Sequence, residues 1–105
     1  MTGNDGPDVA VALRALESDA ARWTDAAVVL RDAATTAAGR VLDPGAFSFA
    51  GKDVADAYEA LRRLTTTLLS EGADNFDAVA AALRASAEAY ADDEAAGAHR
   101  LAGPR

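Results

Sequence analysis

Val9, Leu16, Trp23, Leu30 and Ala37 follow one another at intervals of seven residues, and Leu13, Ala20, Ala27 and Ala34 fill the complementary positions between them. An apolar a/d seam sustained in this way is the pattern of a helix that packs lengthwise against another helix in a left-handed pair. Arg14, Arg22, Asp25, Arg31 and Asp32 lie off the seam. The segment opens at Pro7, a residue tolerated in a first helical turn, and Asp8 suits the positive end of the helix dipole. With Gly39 closing it, the first helix is expected over about residues 7–38.

The pattern then breaks. Asp43-Pro44-Gly45 is turn chemistry, and Phe49-Ala50-Gly51 adds an aromatic beside a further glycine. The connection, about 39–52, is long for a helix–helix link. Asp53 can cap a second helix, with Asp56 three residues on as a shorter stand-in for the capping-box acid. From there Val54, Tyr58, Leu61, Leu64, Leu68, Phe76, Val79, Leu83 and Tyr90 recur at helical spacing, apart from one extra residue around Gly72 to Phe76. Residues 71–75 therefore read either as a stutter in one long helix or as a break, with Gly72 stopping one helix and Asp74 or Asn75 capping the next. Continuity is favoured, because no proline intervenes and the apolar stripe resumes. The second helix is expected over about 53–98, and Glu59 with Arg63 forms an i,i+4 pair on its exposed side.

The fold expected is all-α, an antiparallel hairpin of two long helices in a single domain. Val9, Leu13, Leu16, Trp23, Leu30, Leu61, Leu68, Phe76, Val79 and Leu83 form its core or a dimer seam. Trp23, the only tryptophan, is the largest residue in an otherwise alanine-rich stripe and is the candidate anchor of that seam. The chain is 105 residues long and half apolar, but only 6% is aromatic. Alanine favours helix and buries little area, so the core is thin and a partner would add stability. A first helix of about 32 residues spans ~48 Å and a second of about 46 residues ~69 Å. On that arithmetic the first helix covers its partner only to about Leu83, and Tyr90 and Glu94 project beyond it.

Composition narrows the function. A net charge of −7 argues against nucleic acid, which needs clustered Lys and Arg, and against an anionic membrane surface. Nine of the ten basic residues are arginine, which together with the alanine excess suggests a high-GC genome. With no cysteine there is no disulfide framework and no thiolate metal site. The longest strongly apolar run, Ala26 to Leu30, is too short to span a bilayer. Residues 1–8 lack the basic and apolar regions of a Sec signal, so any export is expected without a cleavable leader. The single histidine, His99, stands in a glycine-bearing tail where a general base is poorly positioned. Asp92, Asp93 and Glu94, with Glu88 nearby, suggest a cation, but consecutive acids on a helix point in different directions and no second ligand set is visible. No metal-ligand, phosphate-loop or nucleophile spacing occurs. No cofactor, no metal and no enzymatic activity are expected.

Tyr90-Ala91-Asp92-Asp93-Glu94 places a tyrosine one helical turn before a glutamate, near the end of the second helix. With the chain length, the two Ala/Leu-rich helices and the glycine-containing aromatic turn, the chain resembles the small helical-hairpin substrates of actinobacterial type VII (ESX) secretion, the WXG-like and excreted virulence factor-like family. The resemblance covers roughly residues 7–96. It implies that Tyr90 and Glu94 are the two halves of a C-terminal Tyr-x-x-x-Glu export signal, read by the type VII secretion ATPase. Phe49 and Gly51 would take the place of the family's Trp-x-Gly turn. Trp23 lies inside helix 1 rather than at the turn, which favours the excreted-factor-like group. The resemblance further implies a homodimer, or a heterodimer with a related helical hairpin, making a four-helix bundle. In an antiparallel pair the partner's turn would lie beside Tyr90. The protein would be cytoplasmic before export and secreted without a cleavable signal peptide, serving as an effector, a virulence-associated factor or an escort. The alternative is a cytosolic helical adaptor or toxin-partner module that is not exported.

Overall fold

The computed structural model describes residues 5–41, 45 and 51–102, with side chains described over 8–41, 45 and 51–97. Two helices make up almost all of it: α1, Asp5–Ala38, of 34 residues, and α2, Lys52–Ala102, of 51 residues. They form an antiparallel helical hairpin, and among the described residues there is no strand. The α1 helix begins two residues ahead of Pro7. That proline still falls within the first turn, where the backbone N–H groups have no intrahelical acceptor to lose. The α2 helix runs without interruption through Gly72 to Asn75, so the extra residue there is absorbed inside one helix.

Contacts divide the chain into two compact units, one combining Met1–Thr24 with Asp77–Arg105, the other formed by Asp25–Phe76. In the first unit the buried residues are Val9, Ala20, Ala80 and Ala87; in the second they are Ala27, Ala34 and Ala73. No large side chain is fully buried among the described residues. What fills the space between the helices is therefore a seam of methyl groups. Alanines at seven-residue spacing let two helix backbones approach to the short end of the usual 8–10 Å interaxial range. Each buried methyl contributes roughly 0.8 kcal/mol, against about 1.5–3 kcal/mol for a leucine.

The larger apolar residues of the predicted seam take a different place. Leu13, Leu16, Leu30, Phe76 and Leu83 are half-buried and flank the alanines, while Trp23 and Val79 are exposed at their edges. Leu61 and Leu68 are 61% and 57% exposed, so neither is a core residue of the hairpin.

The elbow is fastened by side chains of α2. The Arg62 guanidinium donates through Nη1 to the Ala38 carbonyl at 2.9 Å, and the Tyr58 hydroxyl donates to the Arg40 carbonyl at 2.8 Å. Both carbonyls lie at or just beyond the C-terminus of α1, where helix acceptors have no partner of their own and a cation is favoured by the dipole. Gly39 N–H donates to the Thr35 and Thr36 carbonyls and tightens the last turn. At the other side of the connection Gly51 has φ +88°, a left-handed conformation that suits glycine immediately before α2. Phe49, its expected companion in the turn motif, lies outside the described residues.

These elbow bonds overturn the length arithmetic. Ala38 faces Arg62 rather than Asp53. The register is thereby shifted by roughly ten residues, and α1 reaches farther along α2 than a tight turn at residue 53 would allow.

Candidate functional site

Tyr90 and Glu94 stand one turn apart on one side of α2, since residues i and i+4 of a helix share a face. Tyr90 is 47% exposed, and Glu94 is exposed as well. The structure differs from the expectation of a free overhang. Asp8 and Val9 of α1 line one open recess together with Tyr90 and Glu94, so the first turns of α1 sit beside the pair. The tyrosine and the glutamate are thus presented on a two-helix platform and keep their outer surfaces accessible. The surroundings are acidic, with Asp8 across the recess and Asp92 and Asp93 in the same turn of α2.

A second recess of the same unit has an apolar floor of Leu13, Ala87 and Ala91, rimmed by Glu17, Arg84 and Glu88. Arg84 reaches across to α1, donating to the Thr24 hydroxyl at 2.9 Å. That bond ties the helices together on the side opposite Tyr90 and is structural in character.

In the second unit the two sides of the hairpin differ sharply. One side is a polar groove lined by Arg31, Thr35, Thr66, Ser70 and Asp74, closed across the helices by an Arg31–Asp74 ion pair at 3.0 Å. The other carries Val54, Leu61, Leu64 and Leu68 along one flank of α2, and all four are exposed. Their spacing of seven, three and four residues puts them in one row, the arrangement with which a helix seam meets a partner helix. Leu64 was part of the sequence stripe but was not among the expected seam residues; its exposure identifies it with this flank.

Among the described residues Glu59 is the acid whose pKa is clearly perturbed. It accepts from Nε and Nη2 of Arg62 and from Nε of Arg63, the last at 3.1 Å. The Arg62 hydrogen bonds are the largest cause and outweigh the opposing effect of burial; with a lesser contribution from the Arg63 bond they hold its carboxyl down at about 2 from an ordinary 4.5. Sequence spacing had suggested Arg63 alone. Arg62 stands at i,i+3 from Glu59, a local spacing that could have shown the pair, whereas its bond to Ala38 is remote in sequence and forms only once the hairpin closes.

Among the described residues there is no group of three or more His, Cys, Asp or Glu side chains able to hold a metal ion. Nor, among them, is any helix long and apolar enough to cross a membrane. What this surface presents is an exposed Tyr–Glu pair beside the first turns of α1 and, in the second unit, a row of exposed apolar residues on α2. In comparisons with known proteins, no family model, no curated protein and no solved structure matches this chain.

Proposed function

We propose that this protein is a type VII secretion substrate that acts through protein–protein contacts, with Tyr90 and Glu94 as its export signal. The observation that carries the reading is the exposure of both residues, one turn apart, on an unbroken α2. In this reading the secretion ATPase recognises the tyrosine ring and the carboxylate together. Asp8 and Val9 beside them serve to hold that part of α2 in place.

The leucine row of the second unit supports the partner half of the reading. An intrachain core made of Val9 and six alanines leaves Leu61, Leu64 and Leu68 in water. Covering them with a related helical hairpin, in a homodimer or a heterodimer, would build a four-helix bundle with a leucine interior. Trp23, 36% exposed in the first unit, would be a further anchor of such a pairing.

The test is the ratio of protein in culture supernatant to protein in cells, for wild type, Tyr90→Ala and Glu94→Gln, in a host with an active type VII system. Export of wild type with intracellular accumulation of both variants at normal levels supports the signal. Equal release of all three moves the signal elsewhere. Retention of wild type inside the cell favours a cytosolic adaptor or toxin-partner module using the same leucine row.

A further inference from the structure

The leucine row has ends as well as a centre. From Leu64 to Ser70 α2 carries no charge, and the row is bracketed by Asp53 before Ala57 and Glu71 after Leu68. Steps of three and four residues, 53–57–61–64–68–71, keep both acids in line with the row. Both are exposed. The three cations on this stretch of α2 are committed to other groups. Lys52 Nζ bonds Asp56 at 3.1 Å, Arg63 bonds Glu59 at 3.1 Å, and Arg62 bonds Glu59 and the Ala38 carbonyl. Arg31, reaching over from α1, is paired with Asp74. No described residue pairs with Asp53 or Glu71, so the row ends in a carboxylate at each extremity.

That arrangement bears on which partner fits. If the row meets the same row of a second copy in antiparallel fashion, Asp53 of one copy approaches Glu71 of the other. If it does so in parallel register, Asp53 meets Asp53 and Glu71 meets Glu71. Either orientation sets acid beside acid, and a net charge of −7 on each copy adds to the opposition. A partner helix with lysine or arginine at both ends of its own apolar row meets the same surface with attraction at both ends. Exposed charge pairs of this kind contribute little to strength and much to the choice of partner.

We infer that the Val54–Leu61–Leu64–Leu68 row of α2 is a docking site for a different chain, an amphipathic helix whose apolar seam is bracketed by basic residues, and not for a second copy of this protein. The inference rests on the pairing part of the proposed function and is independent of the export signal.

Two synthetic helical peptides test it. Both carry leucines at the spacing of the row; one has lysine eighteen residues apart at the bracketing positions, the other glutamate. At low salt the full-length protein should bind the lysine peptide on the order of tenfold more tightly than the glutamate peptide, because each bracketing contact changes from repulsion to attraction. The preference should shrink toward unity at molar salt. Asp53→Asn with Glu71→Gln should remove it, whereas Asp92→Asn with Asp93→Asn, which changes net charge equally, should leave it. The unliganded protein should sediment as a monomer at micromolar concentration. A homodimer under those conditions, no binding of the lysine peptide, or a preference that survives Asp53→Asn/Glu71→Gln overturns the inference. None of these results touches the Tyr90 export assay, so the two readings fail separately.

Discussion

Ala27 is fully buried in the seam between α1 and α2, and replacing it with leucine tests the packing account at its most sensitive point. The seam works because a methyl group is the largest thing the close helix approach admits. A leucine at position 27 forces the helices apart or drives its own side chain off rotamer. Overpacking of this kind costs about 1–3 kcal/mol, which for a domain of this length corresponds to a fall of roughly 4–24 °C in Tm. The matched control is Ala81→Leu, at an exposed position of α2. It carries the same small loss of helix propensity and should stay within about 0.5 kcal/mol of wild type. Thermal and urea unfolding followed by circular dichroism, with all three proteins at one concentration, give the comparison. If Ala27→Leu is no less stable than Ala81→Leu, the helices are not held at alanine distance and the account of the core is wrong.

Other outcomes follow from particular atoms. The Glu59 carboxyl titrates at about 2 in the fold and near 4.5 when unfolded, so its contribution is complete above 4.5 and is lost as pH falls toward 2. Glu59→Gln should flatten that part of the stability–pH curve and lower stability above about pH 4.5, neutrality included, with little effect near pH 2; an unaltered acid limb would contradict the Arg62–Glu59 assignment. Gly51→Ala places a side chain at φ +88° and should cost about 1–2 kcal/mol in urea unfolding, with an unchanged midpoint counting against the turn geometry. Gly72→Ala is different in sign. The added Cβ would lie 3.3 Å from Leu30 Cδ1, the free end of a half-buried side chain that can give way. The gain of about 0.8–1 kcal/mol in helix propensity should then leave the variant slightly more stable, and a loss would mean that Leu30 is fixed.

How much of this was legible in the sequence depends on which residues were followed. The helix pair was readable from the heptads through Val9 and Leu30, because local spacing acts within a few residues; Asp43 and Pro44 of the expected turn lie outside the described residues. Continuity through Gly72 was readable too, from the resumed stripe. The buried face of α2 was not, because the eye goes to Leu61, Leu64 and Leu68, whereas the hairpin buries Ala73, Ala80 and Ala87. The signal was present: those alanines repeat every seven residues, matching Ala20, Ala27 and Ala34 of α1. A rule that large apolar residues go inside fails when two helices approach closely enough that only methyl groups fit. The placement of Tyr90 beside Asp8 and Val9 was misjudged for another reason. Register across a long connection is set by Arg62 and Tyr58 reaching the end of α1, and no local pattern encodes those contacts. The Tyr90–Glu94 pair itself was legible as spacing on a helix, and its exposure agrees with that spacing.

The most direct test of the central claim is the fate of the wild-type protein in a host with an active type VII system, set against an isogenic strain lacking the secretion ATPase. The supernatant-to-cell ratio, normalised to a cytosolic marker, is the quantity to measure. The account predicts release in the first strain and full retention at equal total abundance in the second. Equal ratios in the two strains, whether both high or both at the level of the marker, would contradict it.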